Sequence, residues 1–394
     1  MFVLNKILAV YLGPTGYAAI GQFQNFIQMV TTFAGSAINT AVVKYTAEYH
    51  EDESKQREIW KTAGSIVFLF SLIFAFLILI FQGQLSLYIF HSLKYQTVFI
   101  WFAVFLIFFN FNTLFLAILN GKKEILKLVF ANIAGSLFAL IITSVLAIKL
   151  HLYGALVALS IYQSIAFIVT LFLCYRANWF KFSSLLGKID LEITKKFSSF
   201  ILMALVSAIC VPLSQILIRA YLTQEFSLAY AGYWEAMIRL STVYLMLVTT
   251  TLGVYYLPRL SELNKIDEIK KEVYLGYKFL FPLTVVGGII VFVIRDWIIN
   301  LLFTPSFAPM QDLFFWQMMG DALKIGSWIL AYLMLSKAMT KLYISTEIIF
   351  TLSLIALTYV CTQFFGFKGV SIAHLINYGM YWIVISLFIF KQLK

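Results

Sequence analysis

Eleven long apolar runs divide this chain, and they restrict its fold more than any other feature of the sequence. Each run has roughly the 20 residues that a helix needs to cross the hydrocarbon core of a bilayer. The chain is 62% hydrophobic and only 12% charged, far from the balance of a soluble domain. The sequence therefore predicts an all-α polytopic membrane protein. The runs lie at residues 17–45, 62–82, 97–119, 127–149, 153–175, 195–221, 228–256, 273–302, 310–336, 342–363 and 368–390.

The second half of the chain repeats the first half in the same order. Residues 21–23 align with residues 232–234, and Gly154 aligns with Gly369, at a nearly constant separation. Internal similarity of this kind predicts two structural units of one topology, here two six-helix bundles with twelve helices in all. The predicted parts are an N-terminal bundle at 1–177, a cytoplasmic linker at 178–194 and a C-terminal bundle at 195–394.

The first of the twelve helices is expected to be truncated. Lys6 aligns with Arg219, but only five residues precede Lys6, whereas a full apolar span precedes Arg219. Because a span needs about 20 residues, we expect about twenty residues of helix 1 to be missing ahead of Met1. A signal peptide fits less well, since no charged segment is followed by a cleavage motif.

The basic residues lie mainly in alternate loops. The net charge of +11 is spread over short segments between apolar runs, not over one soluble face. Loops rich in Lys and Arg remain in the cytoplasm, so both termini are expected there. The same distribution argues against a nucleic-acid partner.

The sequence contains no motif for a metal, a cofactor or catalysis. The three cysteines stand alone, and the histidines His50, His91, His151 and His374 are interpreted as residues of loops and helix ends, without HExxH spacing. No P-loop and no GxSxG motif occurs. We therefore expect no cofactor and no metal, and the chain is not expected to be an enzyme.

Charged residues inside the apolar runs are the candidates for function, because a charge at bilayer depth costs roughly 2.5–3.5 kcal/mol on insertion scales. Gln317, Asp321, Lys324 and Trp328 follow spacings of four, three and four residues, which place them on one helix face. Two interpretations stay open. The face could hold an Asp321–Lys324 ion pair that only fixes helix packing, or it could line a substrate cavity.

Other polar residues lie at comparable depth. Gln215 and Arg219 share one helix face, and Glu235 and Arg239 share another. Transporters built from repeats bind substrate where the repeats meet, and a surplus of Arg and Lys favours an anion such as phosphate. The candidate cavity residues are Lys6, Gln24, Gln28, Gln215, Arg219, Glu235, Arg239, Arg295, Asp296, Gln317, Asp321 and Lys324.

Two of these assignments have alternatives. Arg295 and Asp296 lie near a helix end, where a snorkelling pair would also explain them. Glu235 and Asp321 are the candidate titrating groups if transport is coupled to H⁺ or Na⁺, a choice that the residues leave open.

The run from Arg295 to Lys324, RDWIINLLFTPSFAPMQDLFFWQMMGDALK, resembles the Wzx flippases for lipid-linked O-antigen and enterobacterial common antigen units. VVKYTAEYH at 42–50, YLPRLSEL at 256–263 and LGPTG at 12–16 share the resemblance. It implies a bacterial inner-membrane protein of the multidrug/oligosaccharidyl-lipid/polysaccharide exporter superfamily, and cavity roles for charged residues. Those residues are Arg219, Arg295, Asp296, Asp321 and Lys324.

The function implied is the movement of an undecaprenyl-pyrophosphate-linked oligosaccharide from the cytoplasmic to the periplasmic leaflet by alternating access. Its partners would be the lipid-linked glycan, the bilayer, H⁺ or Na⁺ as coupling ion, and the polysaccharide polymerase machinery. A cation-coupled multidrug exporter of the same superfamily and a lipid II flippase are the alternatives. A membrane polymerase or ligase is disfavoured, because every predicted outer loop is short.

Overall fold

The computed structural model describes residues 2–263 and 265–392, and these residues are almost entirely helical, with no strand among them. The predicted all-α class is confirmed. The α-helices are α1 (Phe2–Phe33), α2 (Asn39–Glu48), α3 (Glu53–Phe90), α4 (Gln96–Gly121), α5 (Ile125–Tyr175), α6 (Leu191–Glu225), α7 (Leu228–Tyr244), α8 (Met246–Thr251), α9 (Leu257–Glu262), α10 (Ile266–Val293), α11 (Arg295–Leu302), α12 (Phe314–Ser336), α13 (Thr340–Phe365) and α14 (Gly369–Gln392).

The described residues contain seven helical segments long and apolar enough to cross a membrane, or up to nine if each of two bent helix pairs counts as one span. Two of the seven, 125–175 and 340–389, are long enough for two crossings each. They are interrupted at His151 and at Gly366, where φ is positive. With these interruptions counted, each of the eleven predicted runs falls on one of these helical segments, although the run at 273–302 continues past the end of its segment at Val293.

The helix breaks fall at matching places in the two halves of the chain. A bend of 69° follows Phe33, and a bend of 55° follows Tyr244. The interruptions at His151 and Gly366 form a second matching pair. Both pairs keep the separation of the aligned sequence, so the internal repeat is a repeat of structure.

Packing divides the chain into two compact units. Unit 1 comprises Ala19–Ile209, and unit 2 comprises Phe2–Ala18 together with Cys210–Lys394. The first half of α1 therefore packs as part of unit 2, although the aligned sequence assigns it to the first bundle. The predicted domain limits themselves stay a prediction.

Side-chain hydrogen bonds hold the helix break of unit 1. The main-chain oxygen of Ala34 accepts bonds from Ser71 Oγ at 3.0 Å and from Asn110 Nδ2 at 3.3 Å. Gly35 follows with a φ of 147°, and a Cβ at this position would lie 3.0 Å from Val67. The break therefore depends on glycine, both for its backbone angle and for its close approach to α3.

Tryptophan and lysine side chains join the loops at one end of unit 1. Glu124 accepts hydrogen bonds from Trp179 Nε1 at 3.0 Å and from Lys127 Nζ at 3.2 Å. The ammonium of Lys122 lies 6.0 Å from the ring of Trp60 and 5.7 Å from that of Trp179. Burial acts to raise the pKa of the Glu124 carboxyl, but the two hydrogen bonds and the positive charges of Lys127 and Lys122 together outweigh it, so this pKa lies below its ordinary value.

A π-helical turn, Leu252–Tyr256, connects α8 to α9 in unit 2. Side chains before, within and after this turn are buried in one apolar cluster of unit 2, among them Val248, Leu252, Tyr256 and Leu260. The turn thus lies in the second arm of the bent helix pair that begins with α7.

Candidate functional site

The first group of buried charges in unit 2 lies between α6 and α7. Arg219 Nη2 donates to Glu235 Oε2 at 2.7 Å, and Arg239 Nε donates to Glu235 Oε1 at 3.0 Å. Arg219 and Glu235 are each 4% exposed. One carboxylate thus serves two guanidiniums, so these three residues, here called the arginine cluster, carry one net positive charge.

Aromatic rings flank both guanidiniums of the arginine cluster. The guanidinium carbon of Arg219 lies 5.8 Å from the ring centre of Trp234, and that of Arg239 lies 5.3 Å from that of Tyr17. Tyr17 in turn packs against Phe303, with ring centres 6.0 Å apart. The negative faces of the rings hold the cations in place without neutralising them.

The second group is centred on Asp321 of α12, which is fully buried. Its carboxylate accepts bonds from Tyr244 Oη at 2.9 Å and from Gln317 Nε2 at 3.2 Å, and it lies 3.0 Å from His374 Nε2. Ser371 Oγ donates to Gln317 Oε1 at 3.1 Å. One carboxylate therefore links α7, α12 and α14.

Lys324 lies on the same face of α12 but contacts aromatic rings. Its ammonium lies 4.7 Å from the ring centre of Trp328 and 5.6 Å from that of Tyr378. The ion-pair contact of Asp321 is with His374, at 3.0 Å. Among the described residues Asp321 and Lys324 form no contact ion pair, and the packing contact of this face runs from Asp321 to His374 of α14. That this face also lines a substrate cavity stays a prediction.

His374 is not among the site residues predicted from the sequence. Its interpretation as a residue of a loop or helix end is wrong, since it lies inside α14 and bonds a buried carboxylate. One signal could have identified it: His374 falls within the apolar run 368–390, where a polar side chain needs a partner.

A buried polar side chain also lies next to the helix break of unit 1. Asn110 of α4 donates to the main-chain oxygen of Ala34 at this break. In unit 2, Asp321 of α12 accepts from the hydroxyl of Tyr244, the last residue of α7 before the bend. The polar group near the break is thus a neutral amide in unit 1 and an ionisable carboxylate in unit 2.

Lys6 has a different role from Arg219, its aligned counterpart. Lys6 Nζ donates to the main-chain oxygens of Asn300 at 3.0 Å and Phe303 at 2.5 Å. These oxygens lie at the carboxyl end of α11, where a cation is favourable. The structure therefore places Lys6 at a helix end within unit 2.

Arg295 and Asp296 contact each other and nearby residues of unit 2. Arg295 Nε lies 3.9 Å from Asp296 Oδ1, and the side chains are 34% and 66% exposed. Asp296 also accepts a bond from Gln311 Nε2 at 2.7 Å. This exposure agrees with the snorkelling interpretation.

The remaining candidates are glutamines. Gln24 is half-buried and Gln28 is exposed on the part of α1 that belongs to unit 1, and Gln215 is half-buried on α6, one turn before Arg219. A role for these three residues in substrate binding stays a prediction. Among the described residues, no group of three or more His, Cys, Asp or Glu side chains could hold a metal ion.

The helices and their buried charges define a multi-pass membrane protein with a transporter fold. The chain is similar to a multidrug resistance MATE family transporter of the MOP superfamily in its inward-facing conformation, with a TM-score of 0.76, 14% identity and coverage of 99% of this chain and 93% of that chain. Against the outward-facing conformation of such a transporter the TM-score is 0.77, with 15% identity and coverage of 99% and 90%.

Residues 1–264 match the family of polysaccharide biosynthesis proteins, and the chain belongs to this family. It is 28% identical over 380 residues to the Lipid III flippase of Escherichia coli (strain K12), covering 96% of this chain and 91% of that protein. The resemblance to flippases of the multidrug/oligosaccharidyl-lipid/polysaccharide exporter superfamily is confirmed.

Proposed function

We propose that this protein is a flippase for an undecaprenyl-pyrophosphate-linked oligosaccharide. The glycan would be an O-antigen or enterobacterial common antigen unit, moved from the cytoplasmic to the periplasmic leaflet of the bacterial inner membrane. The family and the likeness to a Lipid III flippase support this class of cargo.

The observation that carries the proposal is the net positive charge of the arginine cluster. Glu235 accepts from both Arg219 and Arg239, so the cluster sets two guanidinium groups against one carboxylate. A surplus of cationic groups inside a span favours an anionic ligand. Guanidinium groups bind phosphate oxygens in pairs, which suits a pyrophosphate group.

Transport of such a lipid requires no covalent step. The cationic side chains would hold the pyrophosphate, polar side chains such as Gln24 and Gln28 would hydrate the glycan, and the polyprenyl chain would stay in the bilayer. The MATE fold is known in inward-facing and outward-facing conformations, which supports alternating access. The flipped glycan would then be available to a polysaccharide polymerase.

The contacts of Asp321 favour H⁺ over Na⁺ as the coupling ion. Tyr244 and Gln317 both present hydrogen-bond donors to the carboxylate, and His374 presents a ring nitrogen. A hard cation such as Na⁺ would need oxygen acceptors around it. A proton needs only the His374–Asp321 contact, because a carboxylate oxygen and an imidazole nitrogen 3.0 Å apart can share it.

The test is a flipping assay with the purified protein in liposomes. Undecaprenyl-pyrophosphate-linked glycan is placed in the inner leaflet, and its appearance outside is measured with an impermeant glycosidase. Faster appearance than in protein-free liposomes is expected. Parallel liposomes contain lipid II or a cationic dye, and preferential movement of either one would contradict the proposal. Mass spectrometry of the recovered lipid should show an unchanged glycan, whereas a polymerase or ligase would alter it.

A further inference from the structure

Unit 1 contains a pocket of about 300 Å³, and none of the charged residues of unit 2 is among the residues that line it. It lies between the end of α2, the start of α3 and the first turns of α6. The neighbouring loops belong to the Lys-rich and Arg-rich set, which places this pocket on the predicted cytoplasmic side. The volume is at the lower end of the range for small-molecule sites.

One wall of the pocket is aromatic. The rings of Tyr45 and Tyr49 lie 6.3 Å apart and nearly parallel, at 17°. Phe197 and Phe200 of α6 support Tyr45, with ring centres 6.0 Å and 6.1 Å away. A supported aromatic face of this kind offers a flat apolar surface, and the C–H face of a pyranose ring can pack on such a surface.

Three lysines adjoin this wall: Lys44 packs on Tyr45 and Phe200, at 5.1 Å and 5.2 Å, without lining the pocket, and the other two line it. The ammonium groups of Lys55 and Lys196 lie 5.5 Å and 5.8 Å from the ring centre of Tyr49, and Lys196 Nζ is 3.4 Å from Tyr49 Oη. Lys55 is engaged with Asp52 at 3.3 Å. In the part of the chain that the structure describes, Lys196 has no carboxylate within ion-pair distance.

Three carboxylates complete the lining, from Glu58, Asp190 and Glu192. Asp190 accepts the main-chain N–H groups of Glu192 and Ile193, at 2.7 Å and 3.0 Å, and so begins α6. Within residues 2–263 and 265–392, Glu58 and Glu192 form no ion pair. The pocket therefore contains two carboxylates, of Glu58 and Glu192, and one ammonium group, of Lys196, that form no ion pair with one another.

This charge pattern selects the kind of ligand. Three carboxylates against two ammonium groups disfavour a phosphate, and the ammonium groups next to Tyr49 disfavour a cation. A neutral sugar is compatible with both the carboxylates and the ammonium groups, because each hydroxyl can donate to a carboxylate and accept from an ammonium. We propose that this pocket binds neutral sugar residues of the lipid-linked glycan when the cargo is loaded from the cytoplasmic side.

The inference rests on the proposed function, since it takes the sugar to be part of the transported lipid. It assigns the two parts of the cargo to different residues. The unit 1 pocket binds the sugar, and the arginine cluster of unit 2 binds the pyrophosphate. Cargo with a different first sugar would then differ in affinity at Tyr49 and Lys196, without any change at Arg219.

The test is saturation-transfer difference NMR on the full chain in nanodiscs, with N-acetylglucosamine, glucose and galactose as probes. At least one sugar should give a signal in the wild-type protein. We expect the signal to fall about five-fold or more in Tyr49→Ala and in Lys196→Ala. Lys195→Ala is the matched control, an exposed neighbour that does not line the pocket, and it should retain the signal. Tyr49→Phe keeps the ring and should retain most of it.

Three outcomes would overturn the inference: no sugar signal in the wild type, an equal signal in the folded Tyr49→Ala and Lys196→Ala variants, or competition by inorganic pyrophosphate as strong as that by sugar. Thermal unfolding of each variant verifies its fold. Because binding is measured without transport, sugar binding in a protein that flips no glycan contradicts only the proposed function. Flipping without sugar binding contradicts only the pocket.

Discussion

His374 Nε2 lies 3.0 Å from Asp321 Oδ1 and joins α14 to α12 inside unit 2. A carboxylate and an imidazole at this distance can share one proton, whose position alters the bond between the two helices. The contact therefore offers a physical link between protonation and helix packing. Asn110, the buried polar residue at the helix break of unit 1, offers none, because an amide does not titrate near neutral pH.

The first prediction concerns coupling. In Asp321→Asn and in His374→Ala, the acceleration of glycan flipping by a pH gradient should fall by about five-fold or more, the usual size of a coupling between two sites. The measurement is flipping in liposomes with and without the gradient. His50→Ala is the control, because His50 is exposed in a loop. Full gradient dependence in a folded His374→Ala protein would contradict this role.

The second prediction concerns the arginine cluster. Arg219→Gln removes the guanidinium that donates to Glu235 Oε2 and should reduce glycan flipping about thirty-fold or more, since loss of one member of a buried charged pair costs about 2–5 kcal/mol. Charge reversal in Lys324→Glu should also abolish flipping. Lys278→Glu, an exposed site on α10, should have little effect. If the variants retained glycan flipping and lost export of a cationic dye, the multidrug alternative would be correct.

The third prediction concerns pH and stability. The folded-state pKa of Glu124 is lowered, so its contribution to stability is present above the ordinary value of 4.5 and is lost as the pH falls through the lowered value. Glu124→Gln should therefore lower the melting temperature at neutral pH, and the difference should shrink in acid. Thermal unfolding in detergent at a series of pH values measures it. A difference in melting temperature that grew in acid would contradict a lowered pKa for Glu124.

The fourth prediction concerns the helix break of unit 1. Gly35→Ala should destabilise the protein by about 1–3 kcal/mol, because alanine is strained at a φ of 147° and its Cβ would meet Val67. Gly83→Ala is the control, inside α3, where the nearest atom to a Cβ is 3.8 Å away. Helix propensity predicts that this control is neutral or slightly stabilising. Equal melting temperatures for the two variants would contradict a structural role for Gly35.

The spans and the repeat could be predicted from the sequence because both are local properties. Each apolar run is recognised from the hydropathy of its own residues, and residues such as Gly154 and Gly369 align without knowledge of the fold. The breaks at His151 and Gly366 likewise separate runs that the hydropathy pattern already distinguishes.

The partners of the charged residues could not be predicted in the same way. An i, i+3 pair such as Asp321 and Lys324 is visible in the sequence, but the actual partner, His374, lies 53 residues away. The packing of Phe2–Ala18 in unit 2 was equally hidden, because alignment matches this segment to the first repeat. Only tertiary contacts decide such pairs.

The π-helical turn between α8 and α9 determines the direction in which the side chains of α9 point. Val248, Leu252, Tyr256 and Leu260 are spaced by four residues each, and in an unbroken α-helix their directions would drift by about 40° at every step. The one surplus residue of the turn cancels about 100° of that drift. Deletion of one residue here would leave a regular helix with Val248 and Leu260 still on one face, whereas straightening the turn without a deletion would rotate Leu260 out of the apolar cluster by about 100°.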